Sequence, residues 1–271
     1  MPARLSFLFK HKLAKIVTLY FIAIFVWWIK IFRFGEESGT ENYLFNFSYI
    51  FFNITGGFSG IYIAKAKWGG FQSSIGRALS FLGLGLLGQG FGLLIWTYYN
   101  LFLQVEIPYP SLADIGYFSL IPFYTIAMIK FAQASGAKFA LKTLFGQIQV
   151  ILIPAAMLGL SYLLFLKEVG FDGENLIKLL LDIGYPAGEA LSVSLGLLTY
   201  SLSRKLLGGM MKSRILFIII ALTFQYITEF LFLFTSGKGL YYNASLVDLM
   251  YATSYFLMTL GLLSFDHIEE A

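Results

Sequence analysis

Five carboxylic acids stand inside long apolar stretches of this sequence: Asp114, Asp182, Glu189, Glu229 and Asp248. Burying an ionisable side chain in lipid-soluble surroundings is costly, so each is a candidate for ligand binding or for a polar path through the protein. Three of them recur in a pattern of Asp, two residues, then Tyr: Asp114 with Tyr117, Asp182 with Tyr185, and Asp248 with Tyr251. Asn46 and Tyr49 repeat it with an amide. The steps from 46 to 114, 114 to 182 and 182 to 248 are 68, 68 and 66 residues, which points to an internal repeat. Asn46, Asp114, Tyr117, Asp182, Tyr185, Asp248 and Tyr251 are therefore the candidate ligand-binding residues.

A second set lies deeper. Glu189 follows Asp182 by seven residues, on the same helical face and roughly 10 Å further along. Asn46 and Asn53 repeat that relation. Glu229 follows Gln225 by four residues and shares its face. Gln89 and Gln225 precede their repeat aspartates by 25 and 23 residues. Gln89, Glu189, Gln225 and Glu229 form a candidate buried polar path.

Each group has a plainer explanation. Ser111 with Asp114, and Ser245 with Asp248, have the spacing of a helix capping box. Glu189 and Glu229 could be hydrogen-bonded between helices with no further role. The aromatic residues Trp27, Trp28, Trp96, Tyr98, Tyr99, Tyr109, Tyr241 and Tyr242 could form an interfacial belt or line a ligand site. Gly83, Gly85, Gly88, Gly90 and Gly92 read as close helix packing, and Pro122, Pro154 and Pro186 as kinks.

The elements that position these groups are membrane helices. Hydrophobic residues make up 58% of the 271-residue chain and charged residues 13%, about half the charged share of a soluble domain. Eight stretches are long enough to cross a bilayer: 13–34, 43–64, 75–100, 112–133, 140–166, 175–202, 214–235 and 244–265. The expected fold is all-α, one domain over 1–271, with eight transmembrane helices arranged as four hairpins inserted the same way. Fourteen basic residues fall on one side (Arg4, Lys10, Lys12, Lys15, Lys65, Lys67, Arg77, Lys130, Lys138, Lys142, Arg204, Lys205, Lys212, Arg214) and five on the other (Lys30, Arg33, Lys167, Lys178, Lys238). The positive-inside rule then places both termini in the cytoplasm of a cell inner membrane. Glu36, Glu37, Glu41, Glu106, Glu168, Asp172 and Glu174 make the outer loops acidic. The formal charge of +4 follows from these loops and does not suggest nucleic acid.

Enzyme chemistry finds little support. There is no Cys, and the two His, His11 and His267, lie outside the apolar stretches, so no metal site or cofactor is expected. Gly57-Phe-Ser59-Gly60 matches the serine motif of rhomboid proteases but has no histidine base in the membrane.

Leu94-Ile-Trp96-Thr-Tyr98, followed by Pro108-Tyr-Pro110-Ser111-Leu112-Ala113-Asp114-Ile-Gly-Tyr117, resembles the multi-helix membrane module that precedes diguanylate cyclase, phosphodiesterase or histidine kinase domains in bacterial signalling proteins. Leu181-Asp182-Ile-Gly-Tyr185-Pro186 and Leu246-Val-Asp248-Leu-Met-Tyr251 extend that similarity over roughly 85–265. The resemblance implies a non-enzymatic sensor that binds a small ligand from the outer side and acts through a cytoplasmic signalling partner, here with no output domain before Ala271. The alternative is a small transporter or ion- or proton-conducting protein that uses the buried acids.

Overall fold

The computed structural model describes residues 11–35, 39–105, 107–135, 142–164, 176–203 and 209–266. Arg4, Lys10, Glu36, Glu37, Glu106, Lys138, Lys167, Glu168, Asp172, Glu174, Arg204, Lys205 and His267, all used in the orientation and site expectations, lie outside these residues.

The described residues form eight helical segments and no strand. They are α1 (Lys12–Phe34), a second segment divided into α2 (Thr40–Ser48) and α3 (Ile50–Lys67), α4 (Ser74–Thr97), α5 (Leu112–Ala134), α6 (Leu144–Leu164), α7 (Leu176–Ser203), α8 (Gly209–Gly237) and α9 (Leu246–Leu263). A π-helical turn, Tyr98–Leu103, continues α4. Six segments are long and apolar enough to cross a membrane: α1, α4 with its π turn, α5, α6, α8 and α9. The chain is thus a multi-pass helical membrane protein. The α2–α3 segment is divided at Tyr49 into a nine-residue helix and one ending in Lys65 and Lys67, and α7 carries Lys178, Asp182 and Glu189, so neither is among the six.

Helix neighbours close a ring. α3 packs on α4, α4 on α5, α5 on α7, α7 on α8, α8 on α9, and α9 returns to α3. α1 lies outside against α9 and α2, and α6 lies outside against α7. This explains why the first and fifth expected helices lack the repeated polar motif: outside the ring they face lipid on most sides and have no polar interior to line.

Each half of the chain supplies three consecutive ring helices. The steps 46 to 182, 53 to 189 and 89 to 225 are all 136 residues, and 114 to 248 and 125 to 259 are both 134. The two joints between the halves use equivalent Tyr–Asp pairs and equivalent threonines, though the threonines bond to different partners. At one, the Tyr49 hydroxyl donates to Asp248 Oδ1 at 3.2 Å, and Thr259 Oγ1 donates to the Phe52 carbonyl at 2.9 Å. At the other, the Tyr185 hydroxyl donates to Asp114 Oδ1 at 2.8 Å, and Thr125 Oγ1 meets Ser192 Oγ at 3.0 Å. The fold is therefore two related trios of helices joined twice.

Glycines let α4 lie deep between its neighbours. A Cβ on Gly57 would lie 2.9 Å from the Gly83 carbonyl, and one on Gly116 would lie 2.5 Å from the Gly88 carbonyl. Pro122, Pro154 and Pro186 all lie inside helices.

Both ends of α9 are tied. At the end shared with the start of α1, Asp266 Oδ2 lies 3.1 Å from His11 Nε2, its carboxylate meets Lys67 Nζ at 3.1 Å, and Trp68 Nε1 donates to the Phe265 carbonyl at 3.0 Å. At the far end, Trp28 Nε1 donates to the carbonyls of Ala244 and Ser245 at 3.0 and 3.2 Å. Trp28→Phe keeps the ring stacking on Phe32 but leaves these carbonyls short of a buried donor. The expected loss is about 1 kcal/mol, read as a lower unfolding midpoint in detergent.

Candidate functional site

The four repeated Asp and Asn positions lie at the end of the ring opposite His11 and Asp266, and they sort into two clusters. In the first, Asp248 accepts from Tyr49 and Tyr241; the Tyr241 hydroxyl reaches Oδ1 at 3.1 Å and Oδ2 at 3.3 Å. Beside it Asn46 Nδ2 donates to Asn243 Oδ1 at 2.7 Å, and Trp96 Nε1 reaches the same oxygen at 3.3 Å. Asp248 is 1% exposed and Asn46 2%. In the second cluster Asp114 accepts from Tyr185, and Asp182 Oδ1 accepts from the Tyr109 hydroxyl at 2.7 Å. The aspartates here are only partly buried.

The capping box is complete at one pair and half-formed at the other. Ser111 and Asp114 form a complete capping box, with Asp114 Oδ2 accepting from the Ser111 amide at 2.7 Å. The other Asp114 oxygen remains for Tyr185. Ser245 makes no side-chain cap bond to α9, and its hydroxyl has no hydrogen-bond partner. Asp248 accepts from the Ser245 amide, as the acid of a capping box does, and from the two tyrosine hydroxyls as well.

The deeper set also falls into place. Gln89 bridges three helices: Nε2 donates to the Tyr117 carbonyl at 3.2 Å and Oε1 accepts from the Tyr255 hydroxyl at 2.8 Å. The Tyr251 hydroxyl donates to Glu229 Oε2 at 2.5 Å. Gln225 Oε1 accepts from Ser254. Glu189 is 5% exposed, and its Oε2 has no hydrogen-bond partner, as also holds for Gln225 Nε2, Asn53 Oδ1 and Asn46 Oδ1. Tyr117 packs its ring against Gly92, where a Cβ would lie 2.6 Å from it. These contacts tie neighbouring helices together across the interior.

Above the first cluster opens a cleft of about 520 Å³, bounded by Thr40, Tyr43, Trp96, Asn100, Leu101, Gln104, Val105, Ile107, Tyr241, Tyr242 and Asn243. Several features of local backbone converge on it. The π turn Tyr98–Leu103 forms one wall, and such turns are frequent at functional sites. The two positive-φ residues other than glycine among the described residues are Gln104, with φ 53°, and Ala244, with φ 61°. Each costs on the order of 1 kcal/mol. Gln104 lines the cleft, and Ala244 follows Asn243 on its floor. Burial, then the neighbouring Asp248 carboxylate, pushes the Tyr241 hydroxyl well above the usual phenol range, so it stays a donor. Burial and Asp182 do the same for Tyr109.

The sequence reading named Asp248 and placed Tyr49 in the repeat but not among the ligand-binding residues, did not name Asn243 or Tyr255, and grouped Trp96, Tyr109, Tyr241 and Tyr242 as a belt or a lining. Trp96, Tyr241 and Tyr242 line this cleft, whereas Tyr98, 50% exposed, has the exposure of a belt residue. Among the described residues no group of three or more His, Cys, Asp or Glu is placed to hold a metal. Comparison with protein-family models, curated proteins and solved structures finds no match to this chain.

Proposed function

We propose that this protein is a membrane-embedded sensor or receptor-like module that binds a small ligand in the cleft above Asp248. The observation that carries this reading is the cleft itself: a concave site of small-molecule size, walled by a π turn and the strained Gln104, with a floor hydrogen-bonded to the buried joint between the two halves of the ring. A ligand that pulls on Tyr241 or Asn243 acts on Asp248, Tyr49 and Asn46. α9 runs from that joint to Asp266, where His11 and Lys67 grip it, so a shift of α9 reaches the other end of the molecule.

On this reading all eight helical segments lie in the bilayer as four hairpins of one orientation. The excess of Lys and Arg at the His11–Asp266 end places both termini in the cytoplasm and opens the cleft outward. The output passes to a cytoplasmic signalling partner.

The chain has no cysteine, so a single introduced thiol reports cleanly. Thr40→Cys, at the cleft rim, is expected to react with a membrane-impermeant maleimide added to intact cells. Members of a small-molecule fragment library that occupy the cleft slow that reaction in the purified protein. Labelling only from the cytoplasmic side, or a rate that no fragment changes, overturns the reading.

A further inference from the structure

The cleft floor is an aromatic corner. The Trp96 and Tyr241 rings have centroids 6.5 Å apart and planes at 75°, and Tyr43 and Tyr242 belong to the same lining. A cation is attracted to an aromatic face within about 6 Å of its centroid, and a compact ammonium group seated in such a corner meets both rings.

The surroundings sharpen that preference. The Tyr241 hydroxyl donates to both oxygens of Asp248, which pushes electron density back into the ring and makes its face more negative. The Trp96 N–H is engaged by Asn243 Oδ1, which fixes the indole in place. Among the described residues no Lys, Arg, Asp or Glu lines the cleft. Lys30, at the same end, is neutralised by Glu41 at 2.7 Å. Below the floor, the Asp248 carboxylate accepts from the hydroxyls of Tyr49 and Tyr241 and from the backbone amides of Ala244 and Ser245, all of them uncharged donors. In its ionised form, this acid under a low-dielectric aromatic floor focuses a negative potential into the space above. An anion is repelled there, and a neutral molecule gains nothing from the field.

We propose that the cleft binds a small organic cation, an ammonium with a compact apolar body, on the Trp96–Tyr241 corner above Asp248. This rests on the reading of the cleft as a ligand site and names the chemistry that the site selects.

The test uses the full chain in lipid nanodiscs and two probes of nearly the same shape, choline and its uncharged carbon isostere 3,3-dimethylbutan-1-ol. Slowing of Thr40→Cys labelling gives an apparent Kd for each. Choline is expected to bind about tenfold more tightly than the isostere. Trp96→Leu is expected to weaken choline about tenfold and leave the isostere within about threefold. Asp248→Asn, which removes the charge and keeps an acceptor for the tyrosines, is expected to erase most of the preference for the charged probe. Equal binding of the two probes, or a preference that survives Asp248→Asn, overturns the cation proposal while the cleft remains a ligand site. Protection by neutral fragments but not by choline overturns it in the same way. If no compound of any kind protects the thiol, the ligand-site reading fails with it.

Discussion

Gly116→Val is expected to separate α4 from α5 and to destabilise the protein by about 3 kcal/mol, the upper part of the usual range for overpacking. The reason is the identity of the atoms in the way. A Cβ at Gly116 would lie 2.5 Å from both the Gly88 carbonyl oxygen and the Gly92 nitrogen, and 2.9 Å from the Gly92 Cα. These are backbone atoms of α4, which cannot rotate aside as a side chain can. The contact is reciprocal, since a Cβ at Gly92 would lie 2.9 Å from the Ala113 carbonyl. In a bilayer no hydrophobic force drives two helices together, so close backbone packing supplies much of the attraction. Separating α4 from α5 also misplaces Gln89, which needs the Tyr117 carbonyl of α5 at 3.2 Å. Gly159→Ala in α6 is the control. Nothing lies within 4 Å of the added methyl, so its effect should stay within about 0.5 kcal/mol. Unfolding of both variants in detergent by titrated denaturant gives the comparison, and a Gly116→Val midpoint equal to that of Gly159→Ala sinks the argument.

Helix positions were legible because apolar length is written locally. The expected segments at 13–34 and 112–133 match Lys12–Phe34 and Leu112–Ala134 closely. The break at Tyr49 was not legible. No Pro or Gly marks it, and it is set by tertiary bonds: Tyr49 to Asp248, and the Tyr20 hydroxyl to the Ser48 carbonyl at 2.8 Å. The repeat could be read from Asn46, Asp114, Asp182 and Asp248, but their sorting into two clusters could not, because each partner comes from a distant helix. Tyr49 meets Asp248 across 199 residues of sequence, and Tyr109 meets Asp182 across 73. A spacing pattern identifies equivalent positions and says nothing about which of them face each other.

The cleft escaped the sequence for a related reason. It is built largely from the connections after α4 and before α9, which a pattern of apolar periodicity passes over as loops. Left-handed backbone often announces itself as glycine, yet here Gln104 and Ala244 adopt it. Asn243 carried the best available signal: a polar residue beside Tyr241, Tyr242 and a repeat aspartate. Its role depends on Asn46 and Trp96, which lie 197 and 147 residues away in sequence.

The buried joint should be the most sensitive polar feature of the ring. Asp248→Ala removes the acceptor for the hydroxyls of Tyr49, 2% exposed, and Tyr241, in a place where water cannot replace it. Each unsatisfied buried donor costs about 1–3 kcal/mol, so the combined loss is expected to be about 3 kcal/mol. Asp248→Asn keeps one acceptor oxygen and should lose only about 1 kcal/mol. Adding Tyr49→Phe to Asp248→Ala deletes one of the stranded hydroxyls, so the double variant should be less unstable than the sum of the singles. At the second joint Tyr185→Phe costs less than Asp248→Ala, because Asp114 is part-exposed and stays anchored in its capping box with Ser111. The same denaturant titration ranks all four. A loss for Asp248→Ala no greater than that for Tyr185→Phe would mean that the carboxylate does not hold the halves of the ring together, and the route from the cleft into α9 would lose its first step.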